Sequence, residues 1–184
     1  MILIPYLVSV VPLLEVALAF TTPHQFPRDR DCTAMNDRTA EEVIAHLNLI
    51  PNTPEKGYFA ETFRDDDSDP ATNRSRSTAI YYLLEGSAGH SVWHRLDAAE
   101  VWHYYAGAPL TLSVWSGEEI TEVVLGPDVF RDEKPQAVVK KGEWQSARSE
   151  GDWTLVGTTV APGFDPAGAE FADPEWTPQS QKSS

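Results

Sequence analysis

After Pro54 the sequence breaks into short runs rich in β-branched and aromatic residues: YFAETF, STAIYYLL, SVWHRL, EVWHYYAG, LTLSVW, ITEVVLG, QAVVKK and WTLVGTTVA. Between them stand turn-forming segments such as DDDSDP, EGSAGH, AGAP, SGEE, GPD and SEGD. Roughly eight runs of strand length, with no long helical pattern among them, can bury their apolar faces only against one another. The expectation is an all-β fold, a closed antiparallel sandwich or barrel. One helix precedes it. Thr39 and Glu42 have the spacing of a capping box, and Ala40, Val43, Ile44 and Leu47 share a face. Pro51 and Pro54 are expected to end that helix.

With 184 residues, 41% hydrophobic and 23% charged, the chain suits one globular domain with tails. Its formal net charge of -14 argues against a nucleic-acid partner, which needs clustered Lys and Arg. The single Cys32 leaves no intramolecular disulfide and no cysteine zinc site. The opening MILIPYLVSVVPLLEVALAF is apolar, but Pro5, Pro12 and Glu15 argue against a stable membrane span. Two readings of it stay open. One is a secretory signal ending near Ala17-Leu18-Ala19; the other is an N-terminal extension of a chain that is not exported. Asn73-Arg74-Ser75 is a glycosylation sequon that matters only in an exported chain. The organisation expected is an apolar segment and linker over 1–36, one domain over 37–177 and a polar tail over 178–184.

The residues able to do chemistry gather in SVWHRLDAAEVWHYYAG, 91–107. Strand alternation puts Glu100, Trp102 and Tyr104 on one face and Val101, His103 and Tyr105 on the other. His94 lies on the preceding run, and the short RLDAA connection suggests a hairpin that brings it near Glu100. A histidine and a carboxylate converging inside a barrel can hold a divalent metal, act as base and acid, or form a buried hydrogen bond without turnover.

This stretch resembles the first motif of the cupin superfamily, G-x5-H-x-H-x3/4-E-x6-G. Glu100 is followed by six residues and Gly107, His94 stands at the second histidine, and Val92 occupies the first. In KKGEWQSAR, Gly142 and Gln145 match the glycine and histidine of the second motif, with Lys140 in place of its proline. Further fragments, GYFAETF, RSRSTAIYYLLEG, LGPD, VGTTVAPGFD and FADPEW, are similar to the cupin branch long classed as a domain of unknown function. That branch usually reads HPEGGYFRETYR where this chain has TPEKGYFAETFR, so Thr53, Lys56 and Ala60 depart from it. The resemblance spans about residues 45–177. It implies a double-stranded β-helix jelly roll, paired as a homodimer, with a small-molecule pocket.

Cupins carry many reactions, so function has to come from the site. The resemblance implies a divalent metal (Fe, Mn, Ni or Zn) on His94, Glu100 and Gln145 in an oxygenase reading. His103 joins such a set only through a bulge. Metal-free acid-base chemistry asks for less: His94 and Glu100 as the proton-moving pair, Trp102, Tyr104 and Tyr82 as walls, and Gln145 or Arg95 on a substrate oxygen. Isomerisation, epimerisation or cyclisation of a small oxygenated metabolite is the expected reaction class. A non-catalytic binding module, in which Trp144 and Trp153 carry as much weight as His94, is the third reading.

Overall fold

The structure, a computed structural model, describes residues 35–178; the apolar N-terminal segment with its cleavage pattern, Cys32 and the last six residues lie outside the described residues. Helix α1 (Ala40–Leu47) is followed by β1 (Ile50–Pro51), β2 (Tyr58–Arg64), β3 (Thr78–Glu85), β4 (His94–Leu96), β5 (Ala99–Gly107) and β6 (Leu110–Trp115). Next come β7 (Ile120–Leu125), β8 (Gln136–Val139), β9 (Trp144–Ser149), β10 (Trp153–Ala161) and β11 (Ala169–Phe171). They form two antiparallel sheets, β1-β2-β3-β10-β5-β8 and β11-β4-β9-β6-β7, which face each other as a jelly roll.

Alternation decides which side chains enter the space between the sheets. Tyr82, Leu84, Trp102 and Val156 from the first sheet meet Leu110, Leu112, Leu125 and Ala147 from the second, all almost fully buried. The opposite face of the first sheet is half-covered by α1, where Ala40 and Val43 pack with Leu83, Ala106, Trp153 and Leu155. Ala106 changes face because Leu155 pairs with it while Val156 pairs with Tyr104, leaving Tyr105 as an extra residue in β5.

The capping box forms as its spacing predicts, with Glu42 N–H donating to Thr39 Oγ1 and Thr39 N–H to the Glu42 carboxylate. The helix stops earlier than the prolines require. Asn48 takes the left-handed conformation, φ 54°, and Leu49 N–H donates back to Ile44 O at 3.0 Å, so the end is a left-handed cap. Among the described residues no helix is long and apolar enough to cross a membrane.

Three strands escape the sequence pattern: β1, β9 and β11. WQSARS in β9 lacks β-branched residues because its inner face is built of Gln145, Ala147 and Ser149, small or polar groups buried between larger neighbours.

Candidate active site

His94 and Glu100 meet, but not across a hairpin. β4 and β5 belong to opposite sheets, and the RLDAA connection crosses from one to the other. His94 stands on the second sheet beside Gln145, its direct partner on β9. Glu100 and Trp102 come from the facing sheet. Gln145 joins the two layers: its Nε2 donates to Glu100 Oε2 at 2.5 Å and lies 3.1 Å from His94 Nε2, while its Oε1 accepts from Trp102 Nε1 at 2.9 Å. All four residues are buried.

Trp102 sets the polarity of this chain. An indole N–H only donates, so it holds Gln145 Oε1 and turns the amide NH2 toward His94 and Glu100. His94 Nε2 therefore accepts, and its proton sits on Nδ1, which donates to Val92 O at 3.0 Å. Val92, at the position of the missing motif histidine, contributes a backbone carbonyl. Burial raises the Glu100 carboxyl above its ordinary range; His94 opposes the shift and Glu55 adds to it.

His94, Glu100 and Trp102 open onto a cavity of about 350 Å³ between the sheets. Phe59, Ile80, Leu96, Val160, Phe164 and Phe171 supply its apolar walls. Phe171 stacks on the His94 imidazole, centroids 5.6 Å apart and planes at 29°, because β11 pairs with β4 in direct register. Tyr82 also lines the cavity, and its hydroxyl donates to Lys56 O at 3.1 Å. Burial, with the Glu55 and Glu100 charges behind it, pushes the Tyr82 phenol well up, so it stays a donor.

Three residues expected in the pocket, Arg95, Tyr104 and Gln145, do not line it. Arg95 points outward from β4, paired with Glu170 at 2.6 Å and resting over the Trp144 ring at 4.9 Å, since it alternates with the inward His94 and Leu96. Tyr104 faces inward but beyond the cavity, its hydroxyl donating to Gly107 O at 2.5 Å while the ring packs on the core. Gln145 lies behind His94 and Glu100, bonded to both. Trp144 packs on Trp176 outside the barrel, and Trp153 covers α1 with its Nε1 on Arg38 O. His103 faces away from the cavity, 3.3 Å from Thr159 Oγ1.

Sequence reasoning missed Glu55, Glu61 and Arg64, which also line the cavity. Phe59 and Glu61 alternate inward as β2 residues should. Arg64 breaks the parity, because a register shift between Glu61 and Phe63 turns the strand by one residue. Glu55 Oε1 lies 3.8 Å from His94 Nε2.

The donor set does not match a divalent metal as it is arranged. The Gln145 NH2 stands between His94 and Glu100, and turning its oxygen toward them would set the NH2 against the Trp102 N–H. Among the described residues no cluster of three or more His, Cys, Asp or Glu side chains is arranged to hold a metal ion.

A two-sheet jelly roll with a ligand-sized cavity at the strands that carry the His94–Glu100 motif defines a cupin. The chain belongs to the family described as the cupin superfamily (DUF985), whose model matches residues 41–172. A protein of Shewanella oneidensis is similar in structure, with a TM-score of 0.68, 34% identity, and 73% of this chain and 85% of that one covered. A hypothetical protein from Leishmania major superimposes with a TM-score of 0.66 at 30% identity, over 72% of this chain and 86% of that one. Oxalate decarboxylase from Bacillus subtilis shares the fold, at 11% identity and a TM-score of 0.50, over 68% of this chain and 30% of that one. No curated protein matches the sequence.

Proposed function

We propose that the protein binds a small oxygenated molecule in the barrel cavity and moves a proton on it, with His94 and Glu100 as the acid-base pair. The observation that carries this reading is a buried imidazole and a buried carboxyl, tied through one amide, on the wall of a largely apolar cavity. Such walls exclude water and strengthen the electrostatics of a proton transfer. A carboxyl raised by burial is suited to hold or give up a proton nearer neutral pH than a free one. Proton abstraction beside a carbonyl, leading to isomerisation, epimerisation or cyclisation, is the reaction class.

The test is incorporation of deuterium from D2O into a panel of small hydroxy-carbonyl compounds, followed by NMR. Exchange by the wild type that falls roughly 100-fold or more in His94→Ala supports the assignment. Exchange unchanged in that variant sinks it.

The binding-module reading is favoured by one observation, that Gln145 already occupies the Nε2 lone pair of His94. It predicts ligand-induced stabilisation without deuterium incorporation. For the oxygenase reading the measurement is metal content; its donor set would have to be rebuilt around Gln145. Pairing as a homodimer belongs to the same proposal.

A further inference from the structure

The charge around the cavity restricts what can enter it. Three carboxylates line it, Glu55, Glu61 and Glu100, against one guanidinium, Arg64. That guanidinium is already engaged. Arg64 Nε donates to Glu61 Oε1 at 2.9 Å, Nη2 to Glu61 Oε2 at 2.6 Å, and Nη1 to Phe164 O at 3.3 Å. The bidentate pair neutralises both partners at a half-exposed position. Glu55 and Glu100 remain, on the inner side, with His94 between them in the network.

Among the described residues the Glu55 carboxylate receives no hydrogen bond: His94 Nε2, 3.8 Å away, is itself an acceptor, and the Glu55 side chain is only 18% exposed. A carboxylate so placed is an acceptor in want of a donor. Other basic groups of this region are also engaged: Arg74 pairs with Asp97 at 2.8 Å, Arg95 with Glu170 at 2.6 Å, and Lys56 Nζ donates to Ala88 O and His90 O. The chain as a whole carries -14. A phosphate or carboxylate entering here would be desolvated against like charge with no cation to receive it.

We infer that the ligand is a small amine, an oxygenated or aromatic body of neutral character bearing one protonated nitrogen and no phosphate or carboxylate. The ammonium is held by Glu55 on the side toward Glu100, and the body lies against Phe59, Ile80, Phe164 and Phe171. This rests on the cavity being the binding site, as proposed above, and narrows which molecules that site accepts.

The experiment is isothermal titration calorimetry at pH 7 with probes that share a body and differ in charge: 2-phenylethylamine, 2-phenylethanol and 3-phenylpropanoate, with thymidine diphosphate as a larger anion. The amine is expected to bind at least tenfold more tightly than the alcohol, and the two anions not to bind. Glu55→Gln should cut the amine's advantage at least fivefold and leave the alcohol unchanged. Glu61→Gln, which frees Arg64, should admit the carboxylate. Either anion binding as tightly as the amine, or an amine preference that survives Glu55→Gln, overturns the inference while the cavity stands as a small-molecule site. No binding by any probe overturns the inference together with the cavity reading.

Discussion

Lys56 shows how a single departure from the family pattern is accommodated. It stands where the pattern HPEGGYFRETYR of the resembled branch has glycine, and its φ is +80°, a conformation that suits glycine. What offsets the strain is the side chain, whose Nζ donates to Ala88 O at 3.1 Å and His90 O at 2.8 Å. Lys56→Ala keeps the strain and removes both bonds, so it should destabilise by about 1–2 kcal/mol. Lys56→Gly loses the same bonds but relieves the strain, and urea unfolding should find it the more stable of the two. Glu100 allows a second test at this scale. Because burial raises its folded pKa above 4.5, its contribution to stability is fully present below the unfolded value and lost as pH rises through the folded one. Glu100→Gln cannot ionise, and its oxygen can still accept from Gln145. The melting temperature of the variant relative to wild type should therefore climb from pH 4 to pH 8; a flat difference would show that Glu100 is not perturbed. Which of these residues could be read beforehand follows from parity. His94, Glu100 and Trp102 were legible because alternation and motif spacing agree on them. Glu55 was not, since it precedes β2 in a loop, and Arg95 was misplaced because it shares a strand but not a face with His94.

At the scale of elements, the strands that failed to declare themselves are those whose sequence serves the site rather than the sheet. β9 carries Gln145, and its small neighbours Ser146 and Ala147 leave room for Ser91, which accepts from Ser146 Oγ and Ala147 N–H and donates its own N–H to Ala147 O. A run without Val, Ile or Thr gives no β signal, although six backbone partners on β6 hold it in place. β11 is only three residues long, and its register becomes visible only when Phe171 is seen on His94. The segment after it is fixed by Trp176, which packs against Trp93, Trp115 and Trp144 on the outer face of the second sheet. By contrast the glycine that ends β5 was legible, although the bulge at Tyr105 just before it was not. Gly107 closes the motif spacing from Glu100, and its φ of +88° together with the Trp153 carbonyl and ring packed against it leaves no room for a side chain. Gly107→Ala should cost about 2–3 kcal/mol in thermal or urea unfolding, through backbone strain and displacement of the Trp153 ring. A neutral result would mean that the turn into β6 yields where the packing suggests it cannot.

The whole molecule combines a large negative charge with a row of neutral residues on one sheet face. Across the outer side of the first sheet, Phe63, Ala79, Thr159, Val101 and Val138 form a continuous row of direct strand partners, with Tyr105 crossing Gly157 to Tyr81 beside it. α1 covers only the other end of this face, so Phe63, Tyr105 and Val138 stay about half-exposed among the described residues. None of these eight residues carries a carboxylate, and the histidine beside them, His103, lies 3.3 Å from Thr159 Oγ1. Two copies that each carry -14 repel one another wherever carboxylates meet, and this row is where they can approach without that penalty. The homodimer implied by the family resemblance is therefore expected to pair through this face. Light scattering should give twice the monomer mass at micromolar concentration, with dissociation favoured at low salt, where screening of the remaining charge is weakest. Val138→Glu sets a carboxylate at the edge-strand end of the row and should shift the protein to monomer without lowering the unfolding free energy of the single chain by more than about 1 kcal/mol, since Val138 is 56% exposed there. A dimer that persists unchanged in Val138→Glu would place the contact elsewhere, and a monomer in the wild type at every salt concentration would leave the face bare in solution.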